Sequence, residues 1–377
     1  MRTREPVAQQ GLWNGIELAG PYAKTGKRSM TPPRITRRAG LAGLLAAPFV
    51  SRARAATQLT IADNGGPVGA SFREAFYDPY EKATGVKIVN VTQAVDPVAL
   101  IKVAVDTKSY PVDVHLLTPT HCYRLQHPVD YLENLDLKPS DVPGIVPAYL
   151  RPNYMGTDVW ATVFAYRTDK FGDNGPASWA DFWDVAKFPG RRGLYKSPSV
   201  NLEIALMADG VPWDRVYPMD VDRAFKSLDR IKPHVDVWWA SGAQSTQLLQ
   251  SGEVDLLTIW SARAQTAIDA GAPGKIVWNG AVASLDGWAV PKGCPQTTAA
   301  REFIKFCANP ERQAAYTTVM RNGPTNLAAY DSIPADRARL LPTSPANRGT
   351  MLLYNDDWWG PNFAPVKQRF DAWLLEG

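Results

Sequence analysis

Cysteine is scarce. Cys122, Cys294 and Cys307 are the three in 377 residues, too few to staple a disulfide scaffold, so an apolar core must hold the fold. Cys307, beside Phe303 and Phe306, reads as a small core residue, and a Cys294–Cys307 bridge stays open in an oxidising compartment. No window reaches the ~18 consecutive apolar residues of a membrane span. A G-x-x-x-x-G-K-[ST] phosphate loop, H-E-x-x-H, C-x-x-C and a G-x-S-x-G elbow are all missing. Gly65-Gly66 sits between a strand and a helix without the rest of a dinucleotide fingerprint, so no cofactor is expected. His115, His121, Cys122 and His127 cluster in the chain. Ligands on one helix would recur three or four residues apart, whereas the six-residue steps between these histidines aim them at different faces. Polar or surface histidines are the simpler reading than a metal site.

The formal charge of +4 is unevenly spread. Ten of the 41 Lys and Arg and two of the 37 Asp and Glu fall in residues 1–55, which leaves the remainder with 31 basic against 35 acidic residues. The basic excess therefore belongs to the leader, the body is mildly acidic, and nucleic-acid binding is rejected.

Arg34, Arg37 and Arg38 precede a Gly/Ala/Leu-rich stretch from Ala39 to Val50, followed by Ala53-Arg54-Ala55. Basic, then apolar, then A-x-A is the order of a secretory signal, too short to anchor. Thr36-Arg37-Arg38 resembles a twin-arginine signal, although Gly40 stands where such signals usually carry Phe. Residues 1–55 are thus expected to be removed on export, and Met30 offers a second start.

Downstream, β-branched runs alternate with helical patterns. Leu59–Asp63, Val86–Thr92 and Val112–Leu117 read as strands, with helices over 69–84 and 97–107 between them. Further helices are expected at 178–187, 221–232, 243–250, 262–270, 297–320 and 362–375. Strands are expected at 235–239, 254–260 and 275–278. This alternation predicts an α/β fold of two lobes, each a mostly parallel sheet, facing each other across a cleft at their strand ends. Lobe 1 takes residues 56–163 plus about 283–325, and lobe 2 takes about 164–282 plus about 326–377.

Twelve of the 13 tryptophans follow the leader. Trp179, Trp183, Trp213 and Trp373 read as core filling. Trp239 and Trp260 each end a strand before a turn into a helix, where side chains project toward a cleft, and indole faces attract ammonium groups at ~0.5–2 kcal/mol per contact.

Several segments carry a resemblance. SWADFWDVAKFPGRRGL (178–194), SGEVDLLTIWSAR (251–263), SLDGWAVPKG (284–293) and NGPTNLAA (322–329) resemble the extracellular solute-binding proteins of ABC importers, in particular the spermidine/putrescine-binding group. GASFREAFYDPYEKATGVKI (69–88) is similar to that group's first helix and second strand, and the likeness runs from about residue 57 to the end. It implies a two-lobed periplasmic binding protein fold of type II-like form, with hinge strands around a central cleft. It also implies a monomeric receptor that closes on a small amine and hands it to a membrane permease with its ATPase. By position, Asp286 matches the amine-binding aspartate, Trp260 the cleft tryptophan and Thr118 a cleft hydroxyl. Trp359 falls near a polar C-terminal contact. Asn64, Ser241 and Asn201 are expected to orient the ligand, with Trp239 beside the cleft.

Departures from the group bear on the ligand. Ser284 stands where polyamine binders carry an aromatic residue two positions before the aspartate. Asp63-Asn64-Gly65-Gly66 replaces aromatics after the first strand, and Ser197-Pro198-Ser199-Val200-Asn201 replaces acids that bind a second amine, with Glu203 nearby. Arg263 lies one turn past Trp260 and reads either as a solvated arginine or as a cleft guanidinium. In the cleft it would repel a second ammonium and pair with a carboxylate, selecting with Asp286 a short zwitterion of the γ-aminobutyrate type; a putrescine- or spermidine-type polyamine stays nearly as open. The competing readings are an enzyme on this scaffold using Cys122, as thiamin-degrading enzymes do, or a receptor for iron or a sugar.

Overall fold

The structure, a computed structural model, describes residues 58–93 and 96–376. The expected export signal, residues 1–55, lies outside the described residues. Eleven strands among the described residues form one sheet. They are β1 (Gln58–Asp63), β2 (Lys87–Thr92), β3 (Val114–Leu117), β4 (Leu150–Arg151), β5 (Tyr154–Arg167), β6 (Arg192–Tyr195), β7 (Val235–Trp239), β8 (Leu256–Trp260), β9 (Gly274–Ala289), β10 (Gly323–Pro324) and β11 (Leu352–Leu353). The main order is β2-β1-β3-β9-β5-β8-β6-β7.

Both ends of that order obey one logic. β2, β1 and β3 are mutually parallel, as are β7, β6 and β8. Between them run β5 and β9, antiparallel to each other, with β9 antiparallel to β3 on one side and β5 antiparallel to β8 on the other. Two long strands are therefore common to both halves. Bulges interrupt their ladder between Gly156 and Asp158 and between Thr162 and Phe164, where the strands bend.

The burial patterns explain the elements. In β1, Leu59 and Ile61 are fully buried in a cluster with Phe72, Phe76, Tyr77, Trp288 and Phe303. A second cluster gathers Phe164, Trp179, Phe182, Phe225, Phe370 and Trp373. A third, around Val159, Ala161, Val163, Leu257 and Ile259, lies along the shared strands. Residues 327–341 pack onto the helix Pro310–Val319 through Ala329, Ile333 and Leu341.

Several boundaries differ from the sequence reading, each for a local reason. The run expected at 297–320 is two helices, Thr297–Cys307 and Pro310–Val319. Asn309 caps the second by accepting from the N–H groups of Glu311 and Arg312, and Pro310 suits its first position. The helix expected to 187 ends at Trp183, because Asp184 turns back to accept from the Lys187 N–H at 2.9 Å. The C-terminal helix begins earlier, at Asp356, behind an Asn355 cap. The short strand expected at 275–278 is the opening of β9, and β5 was not anticipated. Cys294 and Cys307 are free thiols, both buried; Cys294 points its Sγ at Asp113, 3.4 Å away.

Candidate functional site

Three strand-to-helix turns converge on one region. β3 passes into the helix Pro119–Gln126 at Thr118, whose Oγ1 accepts from the His121 N–H while the Thr118 N–H donates to His121 Nδ1 at 3.3 Å. β8 passes into the helix Ser261–Asp269 at Trp260. β7 passes into the helix Gly242–Ser251 at Ser241, which accepts from the Gln244 N–H at 3.2 Å. β5 and β9 cross between these turns, with Asp158 directly opposite Asp286 and Trp160 opposite Ser284.

Two cavities open there. The first, of about 260 Å³, is lined by Asn64, Gln93, Thr118, His121, Trp160, Trp260, Arg263, Asp286 and Asn322, with Val68, Leu116, Ala262 and Met320 supplying apolar wall. The second, of about 370 Å³, shares Thr118, His121, Trp160 and Trp260 with it and adds Tyr195, Ser197, Ser199, Ser284, Tyr354 and Asp356. Arg124, paired with Asp96 at 2.9 Å, also lines this second compartment, as does Lys367.

Electrostatically the first cavity is built around carboxylate. Asp286 opens partly onto it, and its pKa is pushed well above the usual carboxylate range by burial and by the Asp158 charge across the strand pair, opposed by the Trp160 indole N–H. Asp158 is fully enclosed, is raised to about 6 by burial, and accepts from the Tyr316 hydroxyl at 2.6 Å and Asn322 Nδ2 at 2.8 Å. His121 is lowered to about 4 by burial, so at neutral pH it adds no positive charge. Arg263, part-exposed, has no ion-pair partner among the described residues.

The aromatic wall is braced from behind. Trp260 stands edge-on to Trp239, with centroids 5.5 Å apart, and edge-on to Tyr195 at 5.8 Å. Gly242 makes room for both Trp260 and Arg263: a Cβ there would lie 2.8 Å from Arg263 Nε and 2.9 Å from Trp260 Cζ3. Gly65 and Gly66 turn the chain after β1 through positive φ of 63° and 54°, and buried Asp63 fixes that turn by accepting from the Gly65 N–H at 2.7 Å.

Asn64, Thr118, Trp260, Arg263 and Asp286 thus meet in the first cavity, and Ser284 lies in the second. The others are placed differently. Trp239 is fully buried behind Trp260. Asn201 is buried and spends its amide on the carbonyls of Tyr195 and Ser197 at 2.5 and 2.8 Å. Ser241 is an exposed cap. Trp359 is buried, donates to Glu203 Oε1 at 2.6 Å and stacks on Tyr354 at 5.6 Å. Sequence reasoning missed Asp158, Trp160 and Asn322. The Val, Thr, Trp, Phe and Tyr content of 154–167 marks it as a strand, but only the ladder shows that Trp160 lies across from Ser284. The aromatic absent at 284 is supplied by the neighbouring strand.

Cys122 is fully buried, and burial pushes its thiol well up. His115 is buried and lowered to about 4 for the same reason. Among the described residues no trio of His, Cys, Asp or Glu could hold a metal ion, and no helix is long and apolar enough to cross a membrane.

Two half-sheets sharing a pair of strands, with an acid, a free guanidinium and an indole wall at their meeting edges, define a two-lobed solute receptor. The chain belongs to the bacterial extracellular solute-binding protein family, whose profile matches residues 75–343. It is similar to the γ-aminobutyric acid-binding protein of Pseudomonas aeruginosa, 33% identical over 332 residues that cover 86% of this chain and 93% of that one. Among solved structures it is similar to an ABC transporter substrate-binding protein of Bradyrhizobium japonicum, with a TM-score of 0.79, 35% identity and coverage of 85% and 100%. The A. tumefaciens binding protein AgtB, in complex with agropinic acid, gives a TM-score of 0.72, 33% identity and coverage of 85% and 99%. The chain is an extracytoplasmic solute-binding receptor of an ABC importer, a class that works with a membrane permease and its ATPase.

Proposed function

We propose that the solute is a short zwitterion, an ω-amino acid of the γ-aminobutyrate kind. The observation that carries this is the presence of Asp286 and unpaired Arg263 in one cavity that Trp260 also lines. Asp286 takes the ammonium in a charge-assisted hydrogen bond, Arg263 takes the carboxylate in a bidentate one, and the Trp260 face covers the methylenes. The γ-aminobutyric acid-binding protein of P. aeruginosa supports this choice. Contacts from both halves favour the closed arrangement, which the permease would recognise.

The protein breaks no bond on this reading: the buried, poorly acidic Cys122 thiol is unsuited to attack. Export through the twin-arginine route rests on Arg37 and Arg38; exchanging both for lysine should leave the precursor in the cytoplasm.

A second reading is favoured by the compartment beyond Trp260. Ser197, Ser199 and Ser284 offer hydroxyls there, suited to a hydroxylated arm on an amino acid, and AgtB was solved with agropinic acid. Calorimetry separates the readings. Arg263→Ala should weaken γ-aminobutyrate at least tenfold, the scale of one charge-assisted pair, while putrescine gains. Unchanged γ-aminobutyrate affinity with no gain for putrescine removes the zwitterion. Agropinic acid binding more tightly than γ-aminobutyrate selects the larger ligand.

A further inference from the structure

Asp158 has no counterpart among the residues that the sequence marked as ligand contacts, yet it is the nearest thing to a second anchor. It faces Asp286 directly across the β5–β9 ladder. Its Oδ2 is held by the Tyr316 hydroxyl and Asn322 Nδ2. Its Oδ1 is buried and has no hydrogen-bond partner. A carboxylate oxygen left bare in the interior beside a second carboxyl is an expensive arrangement unless a proton or a cation is shared between them.

The surroundings supply no such cation to the pair. On β5 the neighbours are Tyr154, whose hydroxyl is buried and unpartnered, and Trp160. The helix Pro310–Val319 brings Tyr316, and Asn322 follows it. The helix Pro119–Gln126 brings His121, which burial keeps neutral. The helix Ser261–Asp269 brings Arg263, which lines the same cavity without pairing to either acid. Tyr154 and Tyr316 are themselves pushed well above the usual phenol range by burial and by these two acids, so they remain proton donors.

We propose that Asp158 is a positioning residue that makes Asp286 a strict cation anchor: the two carboxyls share one proton while the cleft is empty and surrender it when an ammonium docks. Capture of the solute is then coupled to release of a proton, and a neutral group at the ammonium position is refused because it cannot replace that proton. The charge balances: one H⁺ leaves the pair as one –NH₃⁺ arrives, and the pair ends with both carboxylates ionised, Asp286 facing the bound cation and Asp158 behind it. This rests on the cationic-ligand reading above.

The test is calorimetry of the full mature protein with γ-aminobutyrate, whose own groups do not titrate near neutrality, at about pH 6.5 in phosphate and in an amine buffer of larger ionisation enthalpy. The binding heat should differ between buffers by the equivalent of roughly one released proton, and affinity should fall by up to about tenfold per pH unit on acidification. Asp158→Asn should still bind, with the buffer difference and the pH slope both lost; a merely structural Asp158 would change affinity and leave them intact. Identical heats in the two buffers for the wild type, a result that needs no variant to fold, would overturn the proposal. Infrared spectra of the ligand-free protein give the independent arm. A protonated-carboxyl component near neutral pH that is present in the wild type and lost in Asp158→Asn, beyond what Glu203 contributes to both, upholds the shared proton even if γ-aminobutyrate gives no heat, in which case it is the ligand reading that fails. Identical carboxyl bands in the wild type and in Asp158→Asn overturn the shared proton whatever binds.

Discussion

At the level of single residues, two of the expected strand ends and caps line the cavity, Thr118 and Trp260, and two do not, Trp239 and Ser241. Thr118 and Trp260 reach the cavity because the backbone turns there from strand to helix. At Trp359, inside the C-terminal helix, the cleft loses to the core. Trp359 turns inward because its indole N–H finds Glu203, which is enclosed beneath Tyr217 and Trp359. That acid has a consequence of its own. Burial raises Glu203 to about 7 against an ordinary 4.5, so the folded state prefers it protonated. Its contribution to stability is intact below about pH 4.5, declines between there and 7, and is gone above 7. Glu203→Gln keeps an acceptor for Tyr217 and Trp359 without the ionisation penalty. In urea unfolding it should match the wild type near pH 4.5 and exceed it at pH 8 by about 3 kcal/mol. An equal difference at both pH values would show that Glu203 does not titrate in this way.

At the level of elements, the short β-branched strands were legible, and of the central pair only the opening of β9 was. β1, β2, β3 and β7 agree with their expected spans to within two residues. β5 is buried along nearly its whole length, so neither face shows a polar period, and Gly156 and Asp158 interrupt the apolar run. With β5 unread, Asp158 and Trp160 could not be brought beside Asp286, because strand pairing between distant segments leaves no mark in local spacing. The helix Gly242–Ser251 makes the opposite point: its first residue matters for what it lacks. Gly242→Ala improves helix propensity, yet its Cβ would press on Arg263 Nε and the Trp260 ring. The expected result is a roughly tenfold weaker affinity with stability changed by less than about 1 kcal/mol. Unaltered affinity would mean that Trp260 and Arg263 do not need their present places.

At the level of the whole molecule, the two halves have one organisation and share β5 and β9. The alternation of strands and helices announced two parallel half-sheets; the antiparallel pair between them had to come from the structure. The C-terminal helix Asp356–Leu375 touches both sides. Phe370 and Trp373 sit in the core of the second half, while Gly360 abuts the Tyr123 ring and Asp356 accepts from the Thr120 hydroxyl at 2.5 Å. Motion between the halves must therefore bend the shared strands without tearing this contact away. Saturating γ-aminobutyrate should shrink the radius of gyration in small-angle scattering and, at ~100 times its Kd, stabilise the fold by about 2.7 kcal/mol in thermal unfolding. Stabilisation with no compaction would point to a site that is already closed.

Because Asp158 and Asp286 are carried on the very strands that join the halves, what the receptor grips and how readily it shuts have one mechanical seat. A lineage drifting toward a new nutrient by altering those positions would retune its resting posture in the same stroke. Substitutions off those strands, at Ser197 or Ser199 in the second cavity, would leave that posture alone and offer the gentler route to a changed diet.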